Sequence, residues 1–346
     1  MTTFLLLYTE PPTRRVFETY RPGRLVFASD EITPEDRAVY DECVQLPPLR
    51  RVDLAALALS RFPADRVVAQ TEYGLLPGAM LGACPADAAL LCSNKWLQRT
   101  ALAAAGVRVP RFALASTAED VRREADRYPI VLKPVVSTLG HGVIRVDSAA
   151  RVPEAVDGLR AHLLDDDLTS RCAAFAEHAR LDMGCDPSRQ FLVEEYVDGA
   201  PLETDGLVFG DRIDCFGTTE QVVDERFRIE AYMFPADGAD LRRVTESALR
   251  ACKVREMGFS IEFRGDTVIE VNGRLGEDDG FPDLFHAALG AYPIRKWIER
   301  DGRPLAPKQR AAVAFRNEPG RVHAAWALAT HPASSRAAYE AARAKL

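Results

Sequence analysis

The chain has 346 residues, of which 47% are hydrophobic and 27% charged, the fractions of an ordinary globular protein of about two domains with room for a sizeable core. Its net charge of −7 comes without a long basic run, which argues against a nucleic-acid partner, and no apolar stretch reaches the length of a membrane span. Seven scattered cysteines with no CxxC argue against a disulfide framework and a structural zinc site, and they fit a reducing cytoplasm.

The opening MTTFLLLYTEPPTRR has a short apolar run with no basic segment before it, so it reads as a first strand rather than a signal peptide. TFLLLY, RLVFAS and RVVAQT are expected as strands of a small α/β sheet. ITPEDRAVYDEC and RVDLAALALSRF supply helices between them, and TEYGLLPGAMLG starts another. In CSNKWLQRTALAAAGVRVPRF, Ser93 or Asn94 caps a helix that Gly106 ends in the left-handed conformation. STAEDVRREADRY starts a second helix, with Ser116 and Glu119 at capping-box spacing. PIVLKPVVSTLGHGVIRVD reads as strand, turn and strand, followed by a helical insertion from Pro153 to His178.

QFLVEEYVDG is a strand that ends at a glycine, and LETDGLVFGDRIDCFGTTE is a hairpin turning near Gly210 and Asp211. DLRRVTESALRACKVREMG is an amphipathic helix closed by Gly258. FSIEF and TVIEV then alternate as two strands of a hairpin. Apolar pairing sets Phe263 opposite Ile269 and Ile261 opposite Val271. Glu262 then faces Glu270, and Ser260 faces Asn272. Gly265 suits a loop of about three residues. PDLFHAALGAYPIRKWIERDG is helical, and the tail from Arg303 has a strand, RAAVAFR, and an alanine-rich helix.

Like charges directly across a strand pair are destabilising. Glu262 and Glu270 are therefore either solvated or share a cation. With the Asn272 amide nearby, such a cation is hard, and Mg²⁺ usually arrives with substrate phosphates. Lys133 sits in a strongly apolar strand, either snorkelling outward from an edge or held for an anionic ligand. The STLGHG segment after it offers backbone N–H groups and hydroxyls suited to phosphate, but it is no Walker loop. His141 could touch a phosphate or be a turn residue facing water. In LVEEYVDG the strand end could clamp a base through backbone groups, or Glu195 simply points to solvent while Tyr196 packs inside.

In order, SNKWLQRTALAAAGVRVPRF, IVLKPVVSTLGHGV, FLVEEYVDGAPLETDGLVFGDRI and GFSIEFRGDTVIEVNGR resemble the ATP-grasp superfamily over about residues 60–300. RFRIEAYMFPA leans towards its amino-acid ligase branch. The resemblance implies a mixed α/β and α+β ATP-grasp fold. It has a Rossmann-like N-terminal domain over 1–93, a linker helix and mobile lid over 94–193, an antiparallel catalytic subdomain over 194–302 and a tail over 303–346. The nucleotide is expected between the lid and the catalytic subdomain.

Carried over by residue, the resemblance implies that Lys95 reaches the α-phosphate and Lys133 the α/β-phosphates. Ser137, Thr138, Gly140, His141 and Gly142 close over the β/γ-phosphates. Glu194, Glu195 and Val197 lie at the adenine clamp, and Glu203 at the ribose. Glu262, Glu270 and Asn272 match ligands for one or two Mg²⁺ ions, with Mn²⁺ a substitute. Arg274 matches the arginine that steadies an acyl phosphate, and with Lys133 and His141 it makes up the catalytic set. Gly273 departs from the usual proline or threonine, Ser260 from a frequent histidine, and the chain is short after AAVAFRNEPGRV.

Glu277, Asp278 and Asp279 form an acidic cluster that could hold a substrate ammonium or be a solvated loop with an N-cap aspartate. Glu230, Tyr232, Glu72 and Tyr73 are further pocket candidates; Glu72 and Tyr73 follow a first-domain strand, where open α/β sheets bind ligands. The expected activity joins a small carboxylate to an amine, amino acids by resemblance, with ATP spent to ADP and phosphate through an acyl phosphate. The alternatives are acyl transfer to a carrier-protein thiol and a nucleotide-binding regulator without catalysis. A homodimer is compatible with this reading.

Overall fold

Strand β1 (Thr3–Leu7) is buried from Phe4 onward, as expected of a strand with parallel neighbours on both sides. The computed structural model describes residues 1–48, 51–60, 62–138, 140–164, 167–224, 228–238, 240–276, 278–318 and 321–346. After β1 come α1 (Pro11–Thr19), β2 (Arg24–Ser29), α2 (Pro34–Val39), β3 (Glu42–Gln45), α3 (Val52–Leu59) and β4 (Arg66–Val68). The four strands form a parallel sheet of order β3-β2-β1-β4. The sequence reading ran a helix through Cys43. Instead α2 stops at Val39, and Cys43 pairs with Phe27, so sheet pairing overrides a weak local helix preference.

Helices α4 (Glu72–Met80), α5 (Ala86–Ser93) and α6 (Lys95–Ala104) lead out of this sheet. Of the two candidate caps, Asn94 is the one used: its Oδ1 accepts the Leu97 N–H at 3.0 Å. Gly106 takes a φ of +72° after the last turn, as expected.

The second sheet is antiparallel, of order β5-β8-β6-β7. Its chain order is β5 (Phe112–Ala115), α7 (Ala118–Glu124), β6 (Ile130–Pro134), β7 (Ile144–Val146), α8 (Val152–Leu164), α9 (Asp167–Ala179) and β8 (Phe191–Glu195). The expected division at 193/194 thus falls inside β8. The α7 capping box sits one residue later than expected: Thr117 Oγ1 accepts the Asp120 N–H at 3.1 Å, and Asp120 Oδ2 accepts the Thr117 N–H at 2.9 Å.

The remaining elements are β9 (Pro201–Phe209), β10 (Arg212–Val223), β11 (Ile229–Phe234), α10 (Arg242–Ala251), β12 (Met257–Arg264), β13 (Thr267–Asn272), α11 (Phe281–Leu289), α12 (Pro293–Glu299), β14 (Arg310–Glu318), β15 (Arg321–His331) and α13 (Ser335–Arg343). Their strands make one antiparallel sheet of order β13-β12-β9-β10-β11-β14-β15.

Three expectations change here. Helix α10 ends at Ala251, with Lys253 at a φ of +56°, and Gly258 lies inside β12. The helix expected after the hairpin is two, divided by Gly290 at a φ of +78° and by Pro293, which starts α12. The tail contains a second strand, β15, before its helix.

One core joins Phe4 and Phe27 of the first sheet and Phe17 of α1 to Phe281, Phe285 and Trp297 of α11 and α12. Another packs α5, α6, α9 and α10 beneath the hairpin through Leu90, Leu102, Phe175, Leu249, Ile261 and Val271. Among the described residues no helix is long and apolar enough to cross a membrane.

Candidate active site

The β12–β13 hairpin sets Glu262 opposite Glu270, Ser260 opposite Asn272 and Ile261 opposite Val271, as its alternation predicts. Phe263 departs from this, pairing with Val268 rather than Ile269. A bulge follows Glu262, and the loop is two residues, 265 and 266, with Gly265 at a φ of +60°. A positive φ at the first loop residue suits a tight hairpin.

On its other side β12 pairs with β9, which puts Glu203 opposite Glu262. Three carboxylates therefore stand in one row across three strands, Glu270, Glu262 and Glu203. Ser260 Oγ donates to Glu203 Oε1, and Gln221 Nε2 donates to its Oε2 at 2.9 Å. The serine that departs from the family pattern thus holds the third carboxylate. Lys95 Nζ approaches Glu270 Oε1 at 2.7 Å and donates to the Ser137 carbonyl at 2.8 Å.

The row is unevenly charged. Burial, then the Glu270 and Glu203 carboxylates, push Glu262 up to about 7. Burial acts upward on Glu270 too, but Lys95, Lys133 and Arg99 together outweigh it and hold this carboxyl below its ordinary value. Burial raises Glu203. Among the described residues no three His, Cys, Asp or Glu side chains form a ready metal cage. Glu262, Glu270 and the buried Asn272 amide still offer the donor set that suits a hard divalent cation, and Glu262 carries charge with difficulty until a cation joins it.

Behind Glu203 on the same face lies Asp205, opposite Ser260. It is fully buried, and neither carboxylate oxygen has a hydrogen-bond partner among the described residues. Burial and then Glu203 raise it well above the usual carboxylate range. The sequence reading missed Asp205, although its two-residue spacing from Glu203 placed both on one strand face.

Helix α6 joins the β5-β8-β6-β7 sheet to the hairpin. Its residues Lys95, Gln98 and Arg99 share one face and are buried. Gln98 Nε2 donates to the Val271 carbonyl at 2.7 Å, and its Oε1 accepts the Val271 N–H at 2.9 Å. Arg99 Nε donates to Glu194 Oε1 at 2.7 Å, and its NH2 donates to the Ile269 carbonyl. Gln98 and Arg99 were not among the expected residues; the i, i+3, i+4 spacing from Lys95 was the available signal.

On β6, Lys133 Nζ lies 2.6 Å from Glu194 Oε2. Burial lowers Lys133 and would raise Glu194, but Arg99 and Lys133 together keep Glu194 below its ordinary value. The Glu194 side chain is thus committed to two cations. Glu195 turns the other way: its Oε1 accepts the Arg111 N–H at 3.1 Å. Val197 lies past the end of β8, in the segment leading to β9.

Ser137 is buried, whereas His141 is exposed, with its ring 6.3 Å from that of His162. The His141 N–H donates to the Thr138 carbonyl at 3.0 Å, and Gly140 and Gly142 take φ of +70° and +73°. A Cβ on Gly142 would meet His162 Cδ2 at 2.6 Å.

Gly273 has a packing reason: a Cβ there would meet Met257 Cε at 2.4 Å and Cys92 Cβ at 3.2 Å. Just beyond it, Arg274 Nε donates to Glu72 Oε2 at 3.4 Å, tying the hairpin to the carboxyl edge of the first sheet. Tyr232 is buried and donates its O–H to Asp278 Oδ2, while Glu230 shares its face of β11. Tyr73 stacks against Arg171, whose guanidinium carbon is 5.5 Å from the ring centroid. Asp279 leaves this group to pair with Arg15 at 3.2 Å, and Glu277 lies outside the described residues. The structure thus brings Arg274, Glu72, Tyr232 and Asp278 to one end of the acidic row.

Residues 126–281 match the ATP-grasp domain model. A curated relative, uncharacterized protein y4rH of Sinorhizobium fredii, is 33% identical over 220 residues, which cover 60% of this chain and 41% of that protein. The chain thus spans about two fifths of that relative. The crystal structure of an L-amino acid ligase from Bacillus licheniformis superposes with a TM-score of 0.74 at 18% identity, over 92% of this chain and 81% of the other. The ADP complex of N5-carboxyaminoimidazole ribonucleotide synthetase superposes with a TM-score of 0.74 at 12% identity, over 99% and 95%. The domain match over residues 126–281 and the superpositions show that the chain has the ATP-grasp fold.

Proposed function

We propose that the chain is an ATP-dependent carboxylate–amine ligase. The observation that carries this reading is the row Glu270–Glu262–Glu203, with Lys95 on its flank and Arg274 at its end. Lys95 and Lys133 offset the negative charge of the triphosphate, which must be neutralised before a carboxylate can attack the γ-phosphorus. Glu262, Glu270 and Asn272 would hold Mg²⁺, which when bound supplies further neutralisation of phosphate oxygens.

A substrate carboxylate oxygen attacks the γ-phosphorus, the bond to the β-phosphate oxygen breaks, and ADP leaves. The amine nitrogen then attacks the acyl carbon and loses a proton, and inorganic phosphate departs. Arg274 faces the developing oxyanion. The lid loop at residues 137–142 keeps water away from the acyl phosphate. No cysteine is needed: burial pushes Cys185 and Cys215 up to about 11 and Cys84, Cys172 and Cys252 up to about 12. The amino-acid ligase among the structural neighbours supports an acid–amine pair of amino-acid type.

A screen of amino-acid pairs for phosphate release, followed by mass spectrometry, tests the reading. ADP and phosphate should form only with both partners present, and the product mass should equal their sum less one water. Nucleotide turnover indifferent to the amine would overturn it.

A further inference from the structure

A cavity of about 500 Å³ lies at the amino-terminal end of β4, with Arg66, Arg300, Glu256 and Trp297 in its lining. Glu72 and the acidic row lie beyond the opposite end of that strand. None of the residues assigned above to nucleotide or substrate lines this cavity.

Its charges do not balance. Glu256 is fully committed: Oε1 accepts the Gly210 N–H at 2.7 Å, and Oε2 pairs with Arg300 at 2.7 Å. Arg66 donates one N–H to the Ile298 carbonyl and has no carboxylate partner among the described residues. Burial and the nearby Arg300 both disfavour its charge. Two guanidinium groups therefore share a cavity with one carboxylate.

Both guanidinium groups are also held in place. Arg66 lies over the Phe4 ring at 5.6 Å and Arg300 over the Phe209 ring at 5.5 Å. Phe209 stacks on Trp297 with centroids 5.2 Å apart. Holding two cations at fixed positions limits the entropy lost when a ligand binds. The planar guanidinium fork matches carboxylate and phosphate oxygens two at a time.

We propose that this cavity is a second ligand site, separate from the nucleotide cleft, that takes a small oxyanion of two or more negative charges. Phosphate and polycarboxylate share this chemistry. The site does not depend on the ligase reading.

Calorimetric titration of the full chain with inorganic phosphate, and separately with citrate, tests the proposal. At least one probe should bind, and the one that does identifies the oxyanion type. Arg300→Gln, on a half-exposed side chain, should weaken that binding by about tenfold or more, and Arg66→Gln should act likewise. Lys133→Ala, in the lid, should leave it unchanged. Thermal melts of each variant check that the fold is retained. Absence of binding by both probes overturns the proposal. So does binding that survives Arg300→Gln, or binding that Lys133→Ala abolishes.

Discussion

The Gln98 side chain pairs with the Val271 backbone as a neighbouring strand would, giving one hydrogen bond of 2.7 Å and accepting one of 2.9 Å. β13 is the outer strand of its sheet, so Val271 has no ladder partner on that side. A single amide from α6 completes the strand between Glu270 and Asn272. Gln98 thus fixes the backbone that carries both side chains.

Gln98→Ala should leave a buried N–H and a buried carbonyl without partners, at a cost of about 1–3 kcal/mol for each group. Urea unfolding should show the loss, and hydrogen exchange should show the Val271 amide opening faster than its neighbours. Unchanged exchange at Val271 would remove Gln98 from this role.

Arg99→Met should be more damaging. Glu194 is fully buried between Arg99 and Lys133. Deleting one partner of a buried ion pair costs about 3–5 kcal/mol. Adding Glu194→Gln to Arg99→Met should cost less than the sum of the two single changes, because the Arg99–Glu194 pair is lost only once, although Lys133 is then left without its carboxylate. A double-mutant cycle in which the two losses simply add would contradict a direct coupling.

Glu270→Gln tests the carboxylate row. The amide can still accept from Lys95, so circular dichroism should be unchanged, while ADP release should fall by about a hundredfold or more. Near-normal release would take the row out of the chemistry.

Asp36 gives a pH dependence away from the cleft. Burial alone would raise its carboxyl, but hydrogen bonds from Arg14 and Thr33 outweigh burial and hold it below its ordinary value. A depressed carboxyl stabilises the fold above its unfolded-state value, and that contribution is lost as pH falls through the folded value. Asp36→Asn should therefore cost about 1–3 kcal/mol at neutral pH and progressively less on acidification. A gap between wild type and variant that stays constant with pH would contradict this.

The facing of Glu262 and Glu270 was legible because a side-chain period of two leaves one register that buries Ile261 and Val271. The bulge was not, since Val268 and Ile269 are both apolar and either could face Phe263. Gly258 looked like a helix end because it followed an amphipathic run; Lys253 ended that helix instead, in a conformation that sequence rarely marks. β15 hid in alanines that read as helix. Two of them, Ala329 and Ala327, pair with Ala312 and Ala314 of β14, and the small side chains let α13 lie close against the sheet. Gln98 and Arg99 share a helix face with Lys95, but their partners lie 173 and 95 residues away, so only that spacing pointed to them.

The pairing of Lys133 with Glu194 also means that any anion approaching this lysine meets a carboxylate already in place. A lysine already matched to a carboxylate is a poor trap for stray chloride or a lone phosphate. Each must win the ammonium from a permanent, well-placed competitor. An anion that carries several charges and touches other groups at the same time can do so, and a weak one cannot.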